Sequence, residues 1–304
     1  MNKFEELVKQ KYGNIKSVSD LETALDNPAF FKEFSDELLY IIKTTIDPSK
    51  QNTYVYDVNS ATIVGLFVKM YKYYLILLGA HEDGDYESVM LVTRPIYEAF
   101  VIMKYLILKG ETSQMHYRLI SYRRRYQKMQ ELQKSGGVGQ VLLEKFRYAM
   151  EIDAFKLEDF EEEDKKKKGR KWELDGKNFS EIHKEVEDSR TYAYLYGMIA
   201  EVVHSGWGDI RQMHLFWNED KLAMPKLEFY RNNDFTYRVL VPISAMMIES
   251  AEKFLIWHKR NDEIIFINEH KRINNLMGML ISKNYEENTD KYITKEEFDK
   301  AVLV

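Results

Sequence analysis

The stretch that decides the fold is residues 87–109, ESVMLVTRPIYEAFVIMKYLILK. Apolar residues occur on every side of a helix drawn through it, which is typical of a helix inside a domain or in a membrane. Arg94 and Glu98 stand near its centre on one face, because they are four residues apart, and Tyr105 follows further along that face. A charged pair in such a helix needs polar partners, so the rest of the chain should supply them.

Composition favours a helical, intracellular protein. The chain has 304 residues, 45% of them hydrophobic, with only 14 Gly and 5 Pro, which disfavours a β-rich fold with many tight turns. The formal net charge of -5 excludes a global basic field for nucleic acid, so any such contact would use a local patch. The absence of cysteine excludes disulfides, thiolate zinc sites and a cysteine nucleophile.

Two apolar stretches, 61–80 and 89–108, resemble membrane spans in length. Neither provides about 18 uninterrupted apolar residues, because charged residues lie within both: Lys69 and Lys72 in the first, and Arg94, Glu98 and Lys104 in the second. The first residues, MNKFEELVKQKYG, lack the apolar core of a signal peptide. We therefore expect a cytoplasmic protein without a membrane partner.

The helix signals predict an all-α fold, a multi-helix bundle around a buried central helical hairpin at about 60–109. Asn27-Pro28 begins a helix that runs to about Thr45, and a second helix from about Ser60 to Leu78 returns through a short turn into residues 87–109. Capping boxes are predicted at Ser19–Glu22, Asn178–Glu181 and Thr294–Glu297. Further helices are predicted at 113–134, 140–160, 190–204, 234–260 and 263–281, with a short extended piece within 227–237.

We predict one domain over residues 1–304. Its core is expected at about 28–260, with a helical arm or insertion at about 111–170 and a C-terminal helical extension at 263–304. No internal repeat is present, and strand alternation is weak.

The first candidate site joins the central helix to the helix at 190–204. That second helix carries Tyr196, Glu201 and His204 in an apolar setting, so these side chains could meet Arg94 and Glu98. A carboxylate beside a histidine can position it as a general base or acid. The alternative, which we favour at this point, is a buried polar network that only fixes how the helices align.

Glu201-Val-Val-His204 also has the Glu-x-x-His spacing of di-iron bundles. That architecture needs two such motifs and two more glutamates, and the chain offers one motif with Glu98 as the obvious extra ligand. We therefore predict no metal and no cofactor, and keep a carboxylate–histidine metal protein only as a last alternative.

A basic, tyrosine-rich helix is the second candidate site. Arginines interleaved with aromatic rings can contact phosphates and stack on bases, which points to nucleic-acid binding. The alternative is a helix whose tyrosines face the core and whose arginines face water. The residues concerned are Arg118, Arg123, Arg124, Arg125 and Lys128, with Tyr117, Tyr122 and Tyr126 between them.

Two motifs, Arg94-Pro-Ile-Tyr-Glu98 and Tyr196-Gly-Met-Ile-Ala-Glu-Val-Val-His204-Ser-Gly, carry a resemblance. The chain resembles a bacterial and phage-associated family of all-helical proteins of unknown function, over roughly residues 30 to 260. That family pairs an Arg-x-x-x-Glu helix with a later helix ending in a Val-His turn. Where the family commonly has Ser about four residues before the histidine, this chain has Ala200.

The same family is likened to HEPN domains, helical bundles that include metal-independent RNases of toxin and phage-defence systems. In those enzymes four to six residues separate an Arg from a following His, and no arginine of this chain has that spacing to any of its seven histidines. A composite site of His204 with Arg94 or Arg211 could still stabilise a charged transition state and move a proton.

The sequence therefore leaves three functions open. The first in rank is a non-catalytic interaction or sensor module, placed by the resemblance in a bacterial defence or toxin setting. The second is a metal-independent ribonuclease or nucleotide-acting effector built on His204, Arg94, Glu98, Arg211 and Tyr196. The third is the metal protein. RNA and another protein are the partner classes considered, and a homo-oligomer is left open.

Overall fold

The computed structural model describes residues 2–46, 56–134, 137–156, 158–159, 172–188 and 233–288, together with shorter stretches at 196, 200, 202–204, 210–211, 214–217, 223–226 and 231. These residues contain ten α-helices, one 3-10 helix and a two-stranded hairpin. The prediction of a helical bundle is confirmed.

The helices are α1 (Asn2–Tyr12), α2 (Val18–Leu25), α3 (Phe30–Ile46), α4 (Val58–Glu82), α5 (Tyr86–Lys109), α6 (Glu111–Gln133), α7 (Val138–Ile152), α8 (Phe179–Val186), α9 (Asn233–Trp257) and α10 (Ile265–Asn288), with the 3-10 helix at Asn261–Ile264. The strands are β1 (Leu215–Trp217) and β2 (Ala223–Pro225), which pair antiparallel with Phe216 opposite Met224.

Local capping explains where two of the short helices begin. The predicted capping box at Asn178–Glu181 is confirmed at the start of α8. The box predicted at Ser19–Glu22 is wrong by two residues, because Ser17 caps α2 and the Asp20 carboxylate accepts from the Ser17 N–H. Asp20 is as well placed as a glutamate to close the box three residues after the cap.

The predicted central helices correspond to α4 and α5. Gly110, in the left-handed region at φ 79°, ends α5. Several apolar residues of the two helices are nevertheless exposed, among them Ile76 and Leu91. Although these two sequences are apolar all round, one side of each helix remains accessible to solvent.

One described helix, Val58–Glu82, is long and apolar enough to cross a membrane by length and composition. In its most apolar window 39% of the residues are buried inside the protein. The core helix of a soluble protein can pass the same criterion, so this observation is weak evidence for a span.

The chain divides into two compact units. The first comprises the described residues within 1–53, 67–100 and 193–304, and the second those within 54–66 and 101–192, which include the predicted arm. In the first unit α9 packs against α3 and α10, and Tyr74 Oη lies 2.7 Å from Ser244 Oγ in the core. In the second unit α6 packs against α7 around Phe146 and Met150. The prediction of a single domain stays a prediction.

Several sequence predictions fall outside the described residues. They are the cap at 294–297, most of the helix at 190–204, and residues 227–230 and 232 of the extended piece predicted within 227–237. From that last segment Arg231 forms an isolated antiparallel bridge with Asp85, whereas residues 233–237 are the first turns of α9, so an extended piece there is wrong.

Candidate functional site

Arg94 on α5 is the centre of the candidate site, which lies within the first unit. Its guanidinium uses all three nitrogens: Nε donates to Glu98 Oε1 at 2.9 Å, Nη2 donates to Tyr196 Oη at 3.1 Å, and Nη1 lies 2.9 Å from His204 Nε2. The structure therefore brings together Arg94, Glu98, Tyr196 and His204, four of the six residues that the sequence suggested for this site.

The second half of the site comes from the segment that carries Tyr196 and His204. The His204 N–H donates to the Ala200 carbonyl at 3.0 Å, so the histidine follows one helical turn after Ala200. The Tyr196 ring lies 6.4 Å from the ring of Tyr97, which is fully buried on α5, and 5.1 Å from the Arg94 guanidinium carbon. These ring and cation–π contacts hold the tyrosine against the helix that presents Arg94.

The site is open to solvent, in contrast to the sealed network that the sequence favoured. The exposed fraction is 17% for the Arg94 side chain and 34% for Glu98, and His204 is exposed. Burial opposes the charged form of Arg94, but the hydrogen bond that it donates to Glu98 and the interaction with Tyr196 raise the pKa of the guanidinium above its ordinary value. Arg94 is therefore a permanent cation at the edge of the protein.

The hydrogen bond between Arg94 and His204 fixes the state of the imidazole. An arginine N–H can only donate, so Nε2 of His204 accepts and the ring proton lies on Nδ1. A guanidinium has five N–H groups, and the bonds to Glu98, Tyr196 and His204 use three of them. Within the described part of the chain, the other two, one on each Nη, are left for two oxygens of an anion.

Two other residues suggested for this site are placed differently. Arg211 is exposed, and the three hydrogen bonds of the Arg94 guanidinium do not involve it. Glu201 lies outside the described residues. No group of three or more His, Asp or Glu side chains suited to a metal ion occurs in the described ranges.

The basic helix α6 presents its first arginines inward. Arg118 donates to Val58 O, Thr62 Oγ1 and Asn59 Oδ1, and burial lowers its pKa. Arg123 is also buried. The side chains of Arg124, Arg125 and Lys128 lie outside the described residues, so a nucleic-acid surface on α6 stays a prediction that would rest on these three.

Sequence reasoning missed a polar cluster in each unit. In the first, Glu37 of α3 accepts from Tyr12 Oη at 2.6 Å and from Lys11 Nζ at 2.7 Å, and His270 Nε2 lies 3.3 Å away. In the second, the Asp175 carboxylate accepts from Tyr105 and Ser113, and His116 Nδ1 lies 2.8 Å from Asp175 Oδ1. The partners in these clusters are 25 to more than 200 residues apart in the sequence, so no local spacing predicts them. For the second cluster, the pair Asp175-Gly176 was an available signature of a turn.

The comparisons with known proteins concern the part of the chain that builds the candidate site. A family of unknown function (DUF5677) matches residues 61–222, just over half of the chain, and this range contains Arg94, Glu98, Tyr196 and His204. No curated protein and no solved structure matches the chain. The chain, a helical bundle with an open Arg94–His204 site, belongs to this family of unknown function.

Proposed function

We propose that the Arg94–His204 site is a metal-independent phosphodiesterase site that cleaves RNA. The observation that carries the proposal is an exposed imidazole whose Nε2 lies 2.9 Å from an arginine with two further N–H groups that have no acceptor among the residues the structure describes. An arginine fork suits two oxygens of a phosphate, and a histidine is the usual group that moves a proton near neutral pH.

The chemistry suits RNA because the 2′-hydroxyl supplies an internal nucleophile. His204 takes the 2′-hydroxyl proton, the 2′-oxygen forms a bond to phosphorus, and the bond from phosphorus to the 5′-oxygen breaks. The proton then passes from His204 to the departing 5′-oxygen, which leaves a 2′,3′-cyclic phosphate and a 5′-hydroxyl. Arg94 neutralises the charge that builds on the phosphate oxygens.

The hydrogen bond between Arg94 and His204 means that His204 can act as a base only after substrate has bound. Nε2 of His204 cannot accept a proton from RNA while it accepts a hydrogen bond from Arg94 Nη1. That hydrogen bond must therefore break first, and the Nη1 N–H must donate to another acceptor. A phosphate is such an acceptor, because a charge-assisted bond to an anion is stronger than one to a neutral imidazole. Glu98 and Tyr196 keep the arginine in place during that exchange.

The test is cleavage of a labelled RNA by the purified chain with and without a chelator, with the 2′,3′-cyclic product identified. We expect His204→Ala to lower the rate by about 10²–10⁴-fold, the usual contribution of general acid–base catalysis. His214→Ala, which removes another exposed histidine, should leave the rate unchanged. The chelator should have no effect, and a 2′-deoxy substrate should resist cleavage.

The opposite outcome would favour the non-catalytic interaction or sensor module. If His204 is only structural, His204→Ala should reduce the free energy of unfolding by about 1–3 kcal/mol, the cost of polar partners left unsatisfied, and no RNA should be cut. The exposed apolar residues Leu75, Ile76 and Leu91 of the first unit support that alternative, since they could meet a protein partner. The open position of His204 argues against it.

A further inference from the structure

A pocket lies between α9 and α10 in the first unit, and none of its lining residues belongs to the Arg94–His204 site. Its volume is about 280 Å³, just below the roughly 300–1,000 Å³ of pockets for drug-sized ligands, so it suits a smaller molecule. The lining positions on each helix follow the three-and-four-residue spacing of one helix face. Its polar lining includes Glu249, Glu252 and Lys253 of α9 and Lys271 and Asn274 of α10.

The side-chain amide of Asn274 has a defined orientation in this pocket. Asn274 Nδ2 donates to the Val241 carbonyl of α9 at 3.3 Å, and a carbonyl oxygen can only accept, so the amide nitrogen and not its oxygen faces Val241. The side-chain oxygen, Oδ1, is buried and has no hydrogen-bond partner among the described residues. The residue as a whole is only 3% exposed. A buried acceptor of this kind is unfavourable until a donor reaches it.

The carboxylates of the pocket select the kind of donor. Glu249 and Glu252 line the same pocket as Asn274, and carboxylates bond a positively charged donor more strongly than a neutral one. An ammonium group suits both kinds of acceptor, because it has three N–H donors and can bond an amide oxygen and a carboxylate together. A divalent metal ion is a poorer occupant, since two lysine ammonium groups line the pocket and would repel it.

Those two lysines indicate the other end of the ligand. Lys271 of α10 donates to Glu252 of α9 at 2.8 Å, which uses one of the three N–H groups of its ammonium. Lys253 is exposed one turn after Glu249 on α9. Ammonium groups at these positions can donate to a carboxylate of the ligand, and Ile248 adds an apolar contact surface. The pocket thus offers partners for both charges of a zwitterion and for an aliphatic group.

We propose that this pocket binds a free amino acid with an aliphatic side chain. The ammonium of the ligand donates to Asn274 Oδ1 and to Glu249, and its carboxylate accepts from Lys253 and Lys271. Asn274 Oδ1 is covered from water in the present arrangement, so binding includes a small movement of the side chains around it. The ligand contacts both α9 and α10 and therefore stabilises their packing. This site does not depend on RNA cleavage at Arg94 and His204.

Isothermal titration calorimetry of the full chain tests which groups of the ligand are needed. We expect leucine to bind with a Kd of about 1 mM or below. Isopentylamine, which is leucine without its carboxylate, and isocaproate, which is leucine without its ammonium, should each bind at least about tenfold more weakly, the effect of losing one charged contact. A chain that does not bind leucine, or that binds isopentylamine as tightly as leucine, would overturn the proposal.

Substitutions in the pocket locate the binding. Glu249→Gln and Lys253→Gln lie at accessible positions of α9 and should each weaken leucine binding about tenfold. Lys43→Gln, which changes an exposed lysine on α3, is the matched control and should leave the affinity unchanged. Asn274→Leu should abolish binding, and because it also removes the bond to Val241, its fold is checked by circular dichroism. Wild-type affinity in both Glu249→Gln and Lys253→Gln would overturn the assignment of leucine to this pocket.

Discussion

At the scale of single residues, Glu37 shows how one carboxylate can hold three elements together. It lies on α3 and is bonded to Lys11 and Tyr12 of α1, and His270 of α10 lies within ion-pair distance. Burial of the carboxyl opposes ionisation, but the nearby His270 and the hydrogen bonds from Lys11 and Tyr12 outweigh it and lower the pKa of Glu37 to about 2. The ionised form therefore belongs to the folded state.

This shift predicts a loss of stability in acid. A carboxyl whose pKa is lower in the folded than in the unfolded state stabilises the fold above its unfolded pKa, near 4.5, and that contribution disappears as the pH falls towards 2. We expect the contribution to be on the order of 2 kcal/mol, after allowance for partial exposure. Unfolding by urea at a series of pH values from 6 to 2 measures it.

Glu37→Gln should remove most of that pH dependence and leave a protein that is less stable at pH 6. Glu33→Gln is the matched control, because Glu33 is another α3 partner of Lys11 but lies at a more exposed position. If Glu37→Gln and wild-type chains lost stability in parallel between pH 5 and pH 3, Lys11, Tyr12 and His270 would not control the ionisation of Glu37.

Residues differ in how well the sequence predicts them. The contact of Arg94 with Glu98 follows from helical spacing, and the resemblance pointed to Tyr196 and His204. The exposure of His204 did not follow, because periodicity identifies the face of a helix and not what covers it. The Glu37 cluster joins residues from three distant helices, so no local pattern signals it.

At the scale of elements, the turn around Asp175 is fixed by side chains from α5 and α6. Asp175 and Gly176 both lie in the left-handed region, and a short antiparallel bridge joins Leu174 to Lys177. Tyr105 and Ser113 donate to Asp175 Oδ2 at 3.0 and 2.5 Å, and His116 Nδ1 lies 2.8 Å from Oδ1. Despite its burial, these bonds lower the pKa of Asp175.

Replacement of this carboxylate should loosen the turn. We expect Asp175→Ala to reduce the free energy of unfolding by about 2–4 kcal/mol, because it leaves buried donors on α5 and α6 unsatisfied and places alanine at a positive φ. Asp175→Asn, which keeps the shape and tolerates the left-handed region, should cost less. Denaturant unfolding provides both values, and equal losses for Ala and Asn would show that the hydrogen bonds to Asp175 contribute little.

The presence of the helices was predicted better than the residues at which they begin and end, or the residues that they bury. Helices α3 to α6 and α8 follow from apolar periodicity and caps, while α4 begins earlier and ends later than its pattern suggests. The β1–β2 hairpin was missed because three-residue strands are too short for alternation to show. Exposed apolar residues on α4, α5 and α7 could not be predicted, since the same composition suits a core helix and a pairing surface.

At the scale of the whole molecule, the family match and the candidate site lie in the same part of the chain. The matched range, 61–222, contains all four residues that meet at Arg94. The family has no assigned function, so activity must be measured on this chain. A helical bundle by itself supports many functions, and the chemistry of the open site is what separates them.

The last prediction concerns the helix that is apolar enough to cross a membrane, Val58–Glu82. Lys69 and Lys72 are exposed near its middle, and each would cost about 2.5–3.5 kcal/mol at the centre of a bilayer. We therefore expect the expressed chain to remain in the aqueous fraction without detergent. The double variant Lys69→Leu with Lys72→Leu should shift towards the membrane pellet, and Lys43→Leu with Lys253→Leu, two exposed lysines on other helices, should not. A wild-type chain that needs detergent for extraction would show that the helix enters the membrane in spite of its lysines.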